Sequence, residues 1–118
     1  MDTILAWLPR LGALLTVAIG LAGFLKPTLI TDGCDIELKT AKAFSEARGV
    51  FGGILFGVGA TALVLGDPNV YLALGLGWTC ATLARFASMA LDGSTIQESI
   101  PPIVIDGTAA LLALSSQL

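Results

Sequence analysis

The chain has 118 residues, of which 55% are hydrophobic and only 13% are charged, and its formal net charge is −3. A soluble domain is about 25% charged, so the sequence holds more apolar surface than one soluble core buries, and a lipid bilayer is its predicted solvent. The negative charge and the scattered basic residues argue against binding to nucleic acid, and the lack of histidine argues against a metal site, so no cofactor is predicted.

The first predicted helix runs from about residue 4 to residue 25, long enough for the roughly 20 residues that cross a bilayer. Pro9 and Arg10 lie near its start, where they suit an interfacial first turn better than the centre of the bilayer. The stretch from Leu11 onward is free of charge, and Lys26-Pro27 is expected to end the helix.

Residues 26–43 form the most polar part of the chain. The sequence Thr-Asp-Gly-Cys-Asp at 31–35 is typical of a turn, and Asp35 is the predicted N-cap of a second helix. That helix is predicted over residues 36–65, with an amphipathic beginning and a membrane-spanning part from about Phe44.

A short turn at residues 66–69 (Gly-Asp-Pro-Asn) separates the second helix from a third, predicted over residues 70–91. Asp-Gly-Ser at 92–94 ends the third helix. Pro101 and Pro102 are expected to open the fourth, over residues 101–117, because proline suits the first turn of a helix.

These elements predict an all-α fold, an integral membrane four-helix bundle in which the single domain 1–118 runs up-down-up-down. A soluble bundle is the alternative, but it needs a polar face on each helix, which the first three lack. Three of the six basic residues, Lys26, Lys39 and Lys42, lie on the loop after helix one. The positive-inside rule therefore places the 26–43 loop in the cytoplasm and both termini outside, in a multi-pass protein of the cell inner membrane. Arg10 is the one basic residue that this orientation places on the outer side.

Charged residues near the ends of the predicted spans form a candidate site, because a charge at the centre of a membrane helix costs about 2.5–3.5 kcal/mol on insertion scales. In a four-pass chain they fall near one membrane face, and we predict that Arg85 pairs with Asp106 or Asp92, and Arg48 with the remaining acid. The interpretation stays open between a clasp that locks helices together and a headgroup site or proton path. The predicted polar network comprises Arg48, Arg85, Asp92, Asp106, Glu46 and Glu98.

Small residues recur at helical spacing in every predicted helix, and such ridges let backbones approach closely in a membrane. Packing within the bundle is the favoured interpretation, and association of several copies through a glycine ridge is the alternative. The glycines assigned to helix packing are Gly49, Gly53, Gly57, Gly12, Gly20 and Gly77.

Two segments, 46–53 (EARGVFGG) and 85–93 (RFASMALDG), carry a family resemblance. With them the chain resembles the small bacterial four-helix membrane proteins called domain of unknown function 4345, over about residues 10–116. The resemblance implies a four-helix fold and a membrane location, and assigns no reaction. The recurring residues of that family fall on Arg48, Gly52, Gly53, Arg85, Asp92 and Gly93, with an acid similar to Asp106 in helix four.

The leading functional hypothesis is a non-enzymatic accessory or assembly subunit that packs against a larger inner-membrane complex, respiratory or photosynthetic, since the loops are too short for a soluble active site. The predicted partners are therefore the lipid bilayer and a membrane-protein complex or further copies of the chain. The alternative is a binder or carrier of a small amphiphile, a quinone or lipid, with its headgroup at the Arg/Asp cluster. A membrane enzyme is the third hypothesis, and it requires an unpaired Asp106 facing a cavity.

Overall fold

The computed structural model describes residues 2–117, so Met1 and Leu118, the end residues of the predicted domain, lie outside the described residues. Within this range the chain forms helices and no β-strand, which confirms the all-α prediction. Short 3-10 turns follow the second and the last helix, at Asp32–Cys34 and Ser115–Gln117. The helices are α1 Asp2–Leu25, α2 Thr28–Thr31, α3 Ala41–Leu65, α4 Pro68–Leu91 and α5 Ile96–Leu114.

Four helices, α1, α3, α4 and α5, are long and apolar enough to cross a membrane. The shortest candidate spans have 22 residues each, Ile4–Leu25 and, with the final 3-10 turn included, Ile96–Gln117. This length is roughly 33 Å at 1.5 Å per residue, against a hydrocarbon core of about 30 Å. Most of their large apolar side chains are exposed rather than packed inside the chain. Exposing so much apolar surface to water is unfavourable, so the architecture is that of an integral membrane protein, as predicted.

The start of α3 differs from the prediction. Thr40, not Asp35, is the N-cap, and its side-chain hydroxyl accepts a hydrogen bond of 3.1 Å from the backbone N–H of Ala43. Asp35 instead adopts the left-handed conformation, with φ of 60°, and ends the 3-10 turn. The predicted amphipathic beginning of the helix at residues 36–39 is therefore irregular chain, because a residue with positive φ stops a helix rather than opening one.

The fourth spanning helix begins at Ile96, five residues before the predicted start at Pro101. Thr95 and Glu98 form a capping box: the Thr95 hydroxyl accepts from the Glu98 N–H at 3.1 Å, and the Glu98 carboxylate accepts from the Thr95 N–H at 2.9 Å. This pair satisfies two of the free backbone donors at the helix start and outweighs the prolines as a start signal. Pro101 and Pro102 consequently lie inside α5.

The beginnings of α1 and α4 also lie earlier than predicted. Helix α1 already includes Asp2, so Pro9 is a buried residue inside the helix and not part of its first turn. The guanidinium of the neighbouring Arg10 stacks over the Trp7 ring, 4.9 Å from its centroid. Helix α4 begins at Pro68, where Asp67 is the N-cap and accepts from the Asn69 N–H at 2.8 Å.

Helix α1 lies between α3 and α5, and α4 packs mainly on α5. Contacts between α1 and α3 run in opposite order along the two helices, from Gly23 beside Phe51 to Val17 beside Gly59. Helix α4 contacts α3 mainly within residues 55–65. The molecule measures 46 × 31 × 19 Å along its principal axes.

Glycines set the spacing between α1 and its neighbours. Gly20 meets the backbone of Phe56, and Gly23 lies against the backbone of Phe51, so a side chain on either glycine would collide with α3. Nearer the N-terminus of α1, a Cβ on Gly12 would lie 2.9 Å from the Ala113 nitrogen of α5. Two of the predicted packing glycines, Gly12 and Gly20, thus lie in close helix contacts, where the absence of Cβ lets backbones approach.

The ridge of α3 that faces α1 is not the predicted one. Gly52 and Gly59 make this contact. Gly52 lies against Gly23 and Phe24 at the end of α1, and Gly59 lies against Val17 and the Ala13 carbonyl oxygen. Gly49 and Gly57 have open space around them, and the nearest atom to a Cβ on Gly53 is the Arg48 carbonyl oxygen at 3.9 Å. The prediction that Gly49, Gly53 and Gly57 pack against another helix of the chain is therefore wrong. It is also wrong for Gly77 of α4, which has equally open space around it.

A small core and one polar contact join α1 to α4. Trp78 of α4 donates its indole N–H to the Thr16 hydroxyl at 2.9 Å, and Thr16 donates to the Gly12 carbonyl at 2.8 Å. Every polar atom in this chain of bonds has a partner, as an apolar environment requires. The contact holds α4 against the rest of the molecule and so positions the site at its far end. The buried hydrophobic cluster consists of Ala13, Ala62, Tyr71, Leu74 and Ala113.

Candidate functional site

An ion pair joins α4 to α5. The Nε of Arg85 lies 3.1 Å from Oδ2 of Asp106, and the side chain of Asp106 is only 6% exposed whereas that of Arg85 is 41% exposed. A carboxylate buried to this degree requires a partner, and the guanidinium supplies both the charge and the hydrogen bond. The pairing is one of the two options that the sequence left open for Arg85.

Arg48 has a different role from the one predicted. Its Nη1 donates to the carbonyl oxygen of Phe24 and, at 3.2 Å, to that of Leu25, both at the end of α1. These carbonyls lack donors within their own helix, and the negative end of the α1 dipole attracts a cation. The expectation that Arg48 pairs with an acid is therefore wrong.

The remaining acids of the predicted network make local contacts. Asp92 accepts a hydrogen bond of 3.0 Å from the Ser88 hydroxyl, and Glu98 belongs to the capping box with Thr95. Glu46 is exposed on α3, and no ion pair among the described residues includes it. The six residues thus divide into a helix cap at Arg48, an ion pair at Arg85 and isolated local contacts.

A polar cavity of about 260 Å³ lies beside the Arg85–Asp106 pair, between the chain that follows α2, the end of α4 and the start of α5. Arg85 and Glu98 were predicted to share this region. The sequence did not predict that residues 33–35 and the serines would line this cavity. The residues of a turn do not indicate which helix ends the turn will pack against. The residues that line this polar cavity are Gly33, Cys34, Asp35, Arg85, Ser88, Ser94, Glu98, Ser99 and Pro102.

A second, more open space of about 480 Å³ lies between α3 and α4, and we call it the α3 groove. Five of its six lining residues belong to α3. They include Gly53 and Gly57, two of the three glycines, with Gly49, that do not face α1 and that we call the outward ridge. The α3 groove is almost entirely apolar. It is lined by Gly53, Ile54, Gly57, Val58, Thr61 and Val70.

The described residues include no cluster of three or more histidine, cysteine or acidic side chains that could hold a metal ion. Cys34 and Cys80 are both exposed and unbridged. Asp106 is paired and buried, so the unpaired acid that a membrane enzyme would require at this position is not present. The polar cavity therefore offers recognition chemistry, a guanidinium beside carboxylates and hydroxyls.

The comparison with protein families matches residues 4–115, nearly the whole chain, to the family described as Domain of unknown function (DUF4345). The chain belongs to this family. Comparisons with curated proteins and with solved structures found no match. The DUF4345 family is thus the one relationship these comparisons establish, and its description assigns no activity.

The DUF4345 residues recognised in the sequence have separate structural roles in this chain. Arg48 caps α1, Gly52 makes the close contact with α1, and Arg85 holds Asp106. Asp92 follows the last residue of α4, and Gly93 has φ of 73°, which lets the chain turn towards α5.

Replacing Arg85 with glutamine should leave the buried Asp106 without its cation. We expect the free energy of unfolding in detergent to fall by about 1–2 kcal/mol, less than for a fully buried pair because Arg85 is partly exposed. Thermal unfolding followed by circular dichroism measures the change. The double variant Arg85→Gln/Asp106→Asn should recover part of the loss.

Lys42→Gln serves as the matched control, since Lys42 is an exposed cation at the start of α3. Its melting temperature should equal that of the wild type. An Arg85→Gln variant that unfolds together with this control would contradict a stabilising ion pair.

Proposed function

We propose that this protein is an accessory subunit that packs against a larger complex of the inner membrane, with the α3 groove as the contact surface. The observation that carries the proposal is the outward ridge of Gly49, Gly53 and Gly57, where an added Cβ would meet no other helix among the described residues. A respiratory or photosynthetic complex is the proposed kind of partner. A transmembrane helix of that partner occupies the groove.

The chemistry of α3 supports this proposal. Glycine in a helix costs roughly 0.5–1 kcal/mol relative to alanine, and in a membrane it is useful where two backbones come close together. Gly52 and Gly59 have this use inside the chain, against α1. Gly53 and Gly57 do not face α1 but lie at the surface, where a helix from another molecule can approach equally closely.

The exposed surface gives further support. Large apolar side chains are exposed on all four long helices, for example Leu11, Val64, Leu83 and Leu111. Connections between the helices are short, and the turn at Gly66–Asp67 has only two residues outside helices. A protein with so little surface in water has its contact area for other proteins within the membrane.

Filling the groove tests the proposal. We expect Gly57→Leu to abolish co-purification of the partner in mild detergent, because the added side chain occupies the space into which the partner helix packs. Pull-down from native membranes followed by mass spectrometry identifies what is bound. The matched control is Gly77→Leu, which adds the same side chain at an open glycine of α4, outside the groove.

Wild type and the Gly77→Leu control should retain the same partner. A strictly monomeric wild-type protein without a co-purifying partner would overturn the proposal. Recovery of further copies of this chain alone would replace the accessory-subunit function with homo-oligomerisation.

Binding of a small amphiphile is a second candidate function, and the polar cavity favours it. The cavity combines the partly exposed Arg85 with acids and hydroxyls. The residues that follow Arg85 and Ser99 along α4 and α5, Phe86 and Ile100, are exposed and apolar. A headgroup fits the cavity while the apolar part of the molecule, a lipid or quinone, lies along α4 and α5.

Native mass spectrometry from mild detergent tests this second function. The wild type should carry a retained amphiphile, and Ser94→Phe should release it by filling the cavity. Ser116→Phe, at an exposed position beyond the end of α5, is the control that should keep it. Wild-type protein that carries no amphiphile would exclude this function.

A further inference from the structure

The donors and acceptors of the polar cavity identify the kind of headgroup that suits it. Arg85 donates to Asp106 through Nε, and the hydrogen bonds of the described residues do not use its Nη groups. Two N–H-bearing nitrogens of a guanidinium therefore remain for an anionic oxygen at the cavity wall. A guanidinium fork matches phosphate oxygens in geometry and charge.

Two carboxylates, those of Asp35 and Glu98, also line the polar cavity. Asp35 is exposed, and Glu98 accepts the Thr95 N–H with one oxygen, while no hydrogen bond among residues 2–117 uses its other oxygen. An anion alone would bring its charge close to both acids and be repelled. A positive group beside Asp35 and Glu98 removes this repulsion.

Hydroxyl groups supply the remaining contacts. Ser99 is 6% exposed, and its hydroxyl lies 3.5 Å from that of Ser94, a distance at the limit of a hydrogen bond. Both serines line the cavity and can each form a better bond with a phosphate oxygen. The cavity volume of about 260 Å³ leaves room for a small polar group such as a phosphate joined to a short amine.

We infer that the polar cavity binds a zwitterionic phospholipid with a primary ammonium, its phosphate at Arg85 and its ammonium at Asp35 and Glu98. The inference rests on the amphiphile-binding function proposed above and names its ligand class. A quaternary ammonium is disfavoured, because it has no N–H to donate and no aromatic ring lines the cavity to hold it by cation–π contact. The acyl chains lie along the exposed apolar surface near Phe86 and Ile100.

The experiment measures lipid binding to delipidated full-length protein by native mass spectrometry. Three lipids with the same acyl chains are compared: phosphatidylethanolamine, phosphatidylcholine and phosphatidylglycerol. We expect phosphatidylethanolamine to bind about tenfold more tightly than either of the others. The double variant Asp35→Asn/Glu98→Gln should lose this preference, and glutamine at position 98 retains the capping box.

Asp32→Asn/Glu37→Gln is the matched control, since it removes two exposed acids from the same loop outside the cavity lining. It should keep the preference. Equal binding of the three lipids, or a preference that survives the Asp35/Glu98 variant, would overturn the inference while leaving amphiphile binding intact. Failure to bind any of the three lipids would also overturn the inference, whereas the amphiphile-binding function itself fails only if the wild type purified from native membranes retains no amphiphile.

Soluble phosphoethanolamine distinguishes the source of the headgroup. It carries the same phosphate and ammonium without acyl chains, so it should bind far more weakly than the lipid. Phosphoethanolamine that binds as tightly as phosphatidylethanolamine would overturn the assignment to a lipid and identify a water-soluble ligand.

Discussion

The close contact between α1 and α3 is the constraint on which the rest of the structure depends. Gly20 and Gly23 on α1 and Gly52 and Gly59 on α3 bring the two backbones together without side chains between them. Lipid offers no hydrophobic driving force for helix association, so the closeness of such contacts supplies much of the attraction. Because Gly52 and Gly59 face α1, the other glycines of α3 lie at the surface, and Gly53 and Gly57 line the α3 groove.

The same contact decides how the charges are used. With the start of α3 beside the end of α1, Arg48 reaches the carbonyl oxygens of Phe24 and Leu25 and satisfies groups that lipid could not. Arg85 is then the basic residue of the polar cavity, and it shares its charge with Asp106. The cavity retains acids and hydroxyls whose hydrogen-bonding capacity is incompletely used inside the chain, which is why it suits a ligand rather than a purely structural clasp.

Composition and apolar length were sufficient to predict the all-α membrane fold and the approximate spans. Charge and depth were sufficient to limit the partner of Arg85 to Asp106 or Asp92, and the structure shows Asp106, since a buried acid in this setting needs a cation. The sequence did not reveal that Arg48 would prefer carbonyl groups, because helix-end carbonyls are present in every sequence and carry no residue signature. The predicted helix starts were wrong where a different residue formed the cap. Thr40 caps α3 in place of Asp35, and Thr95 with Glu98 opens α5 ahead of Pro101. Glycine spacing alone could not distinguish the inward ridge from the outward one, because α3 carries glycines on both sides and includes a π-helical segment, Arg48–Ile54, that changes their register.

Tryptophan scanning of α3 tests the central claim most directly. Each position from residue 49 to residue 59 is replaced in turn, and the melting temperature of the purified protein is measured in the same detergent. The account predicts the largest losses at Gly52 and Gly59, where a side chain would enter the contact with α1, and small changes at Gly49, Gly53 and Gly57. The opposite pattern, with tolerance at Gly52 and Gly59 and large losses along the outward ridge, would contradict it.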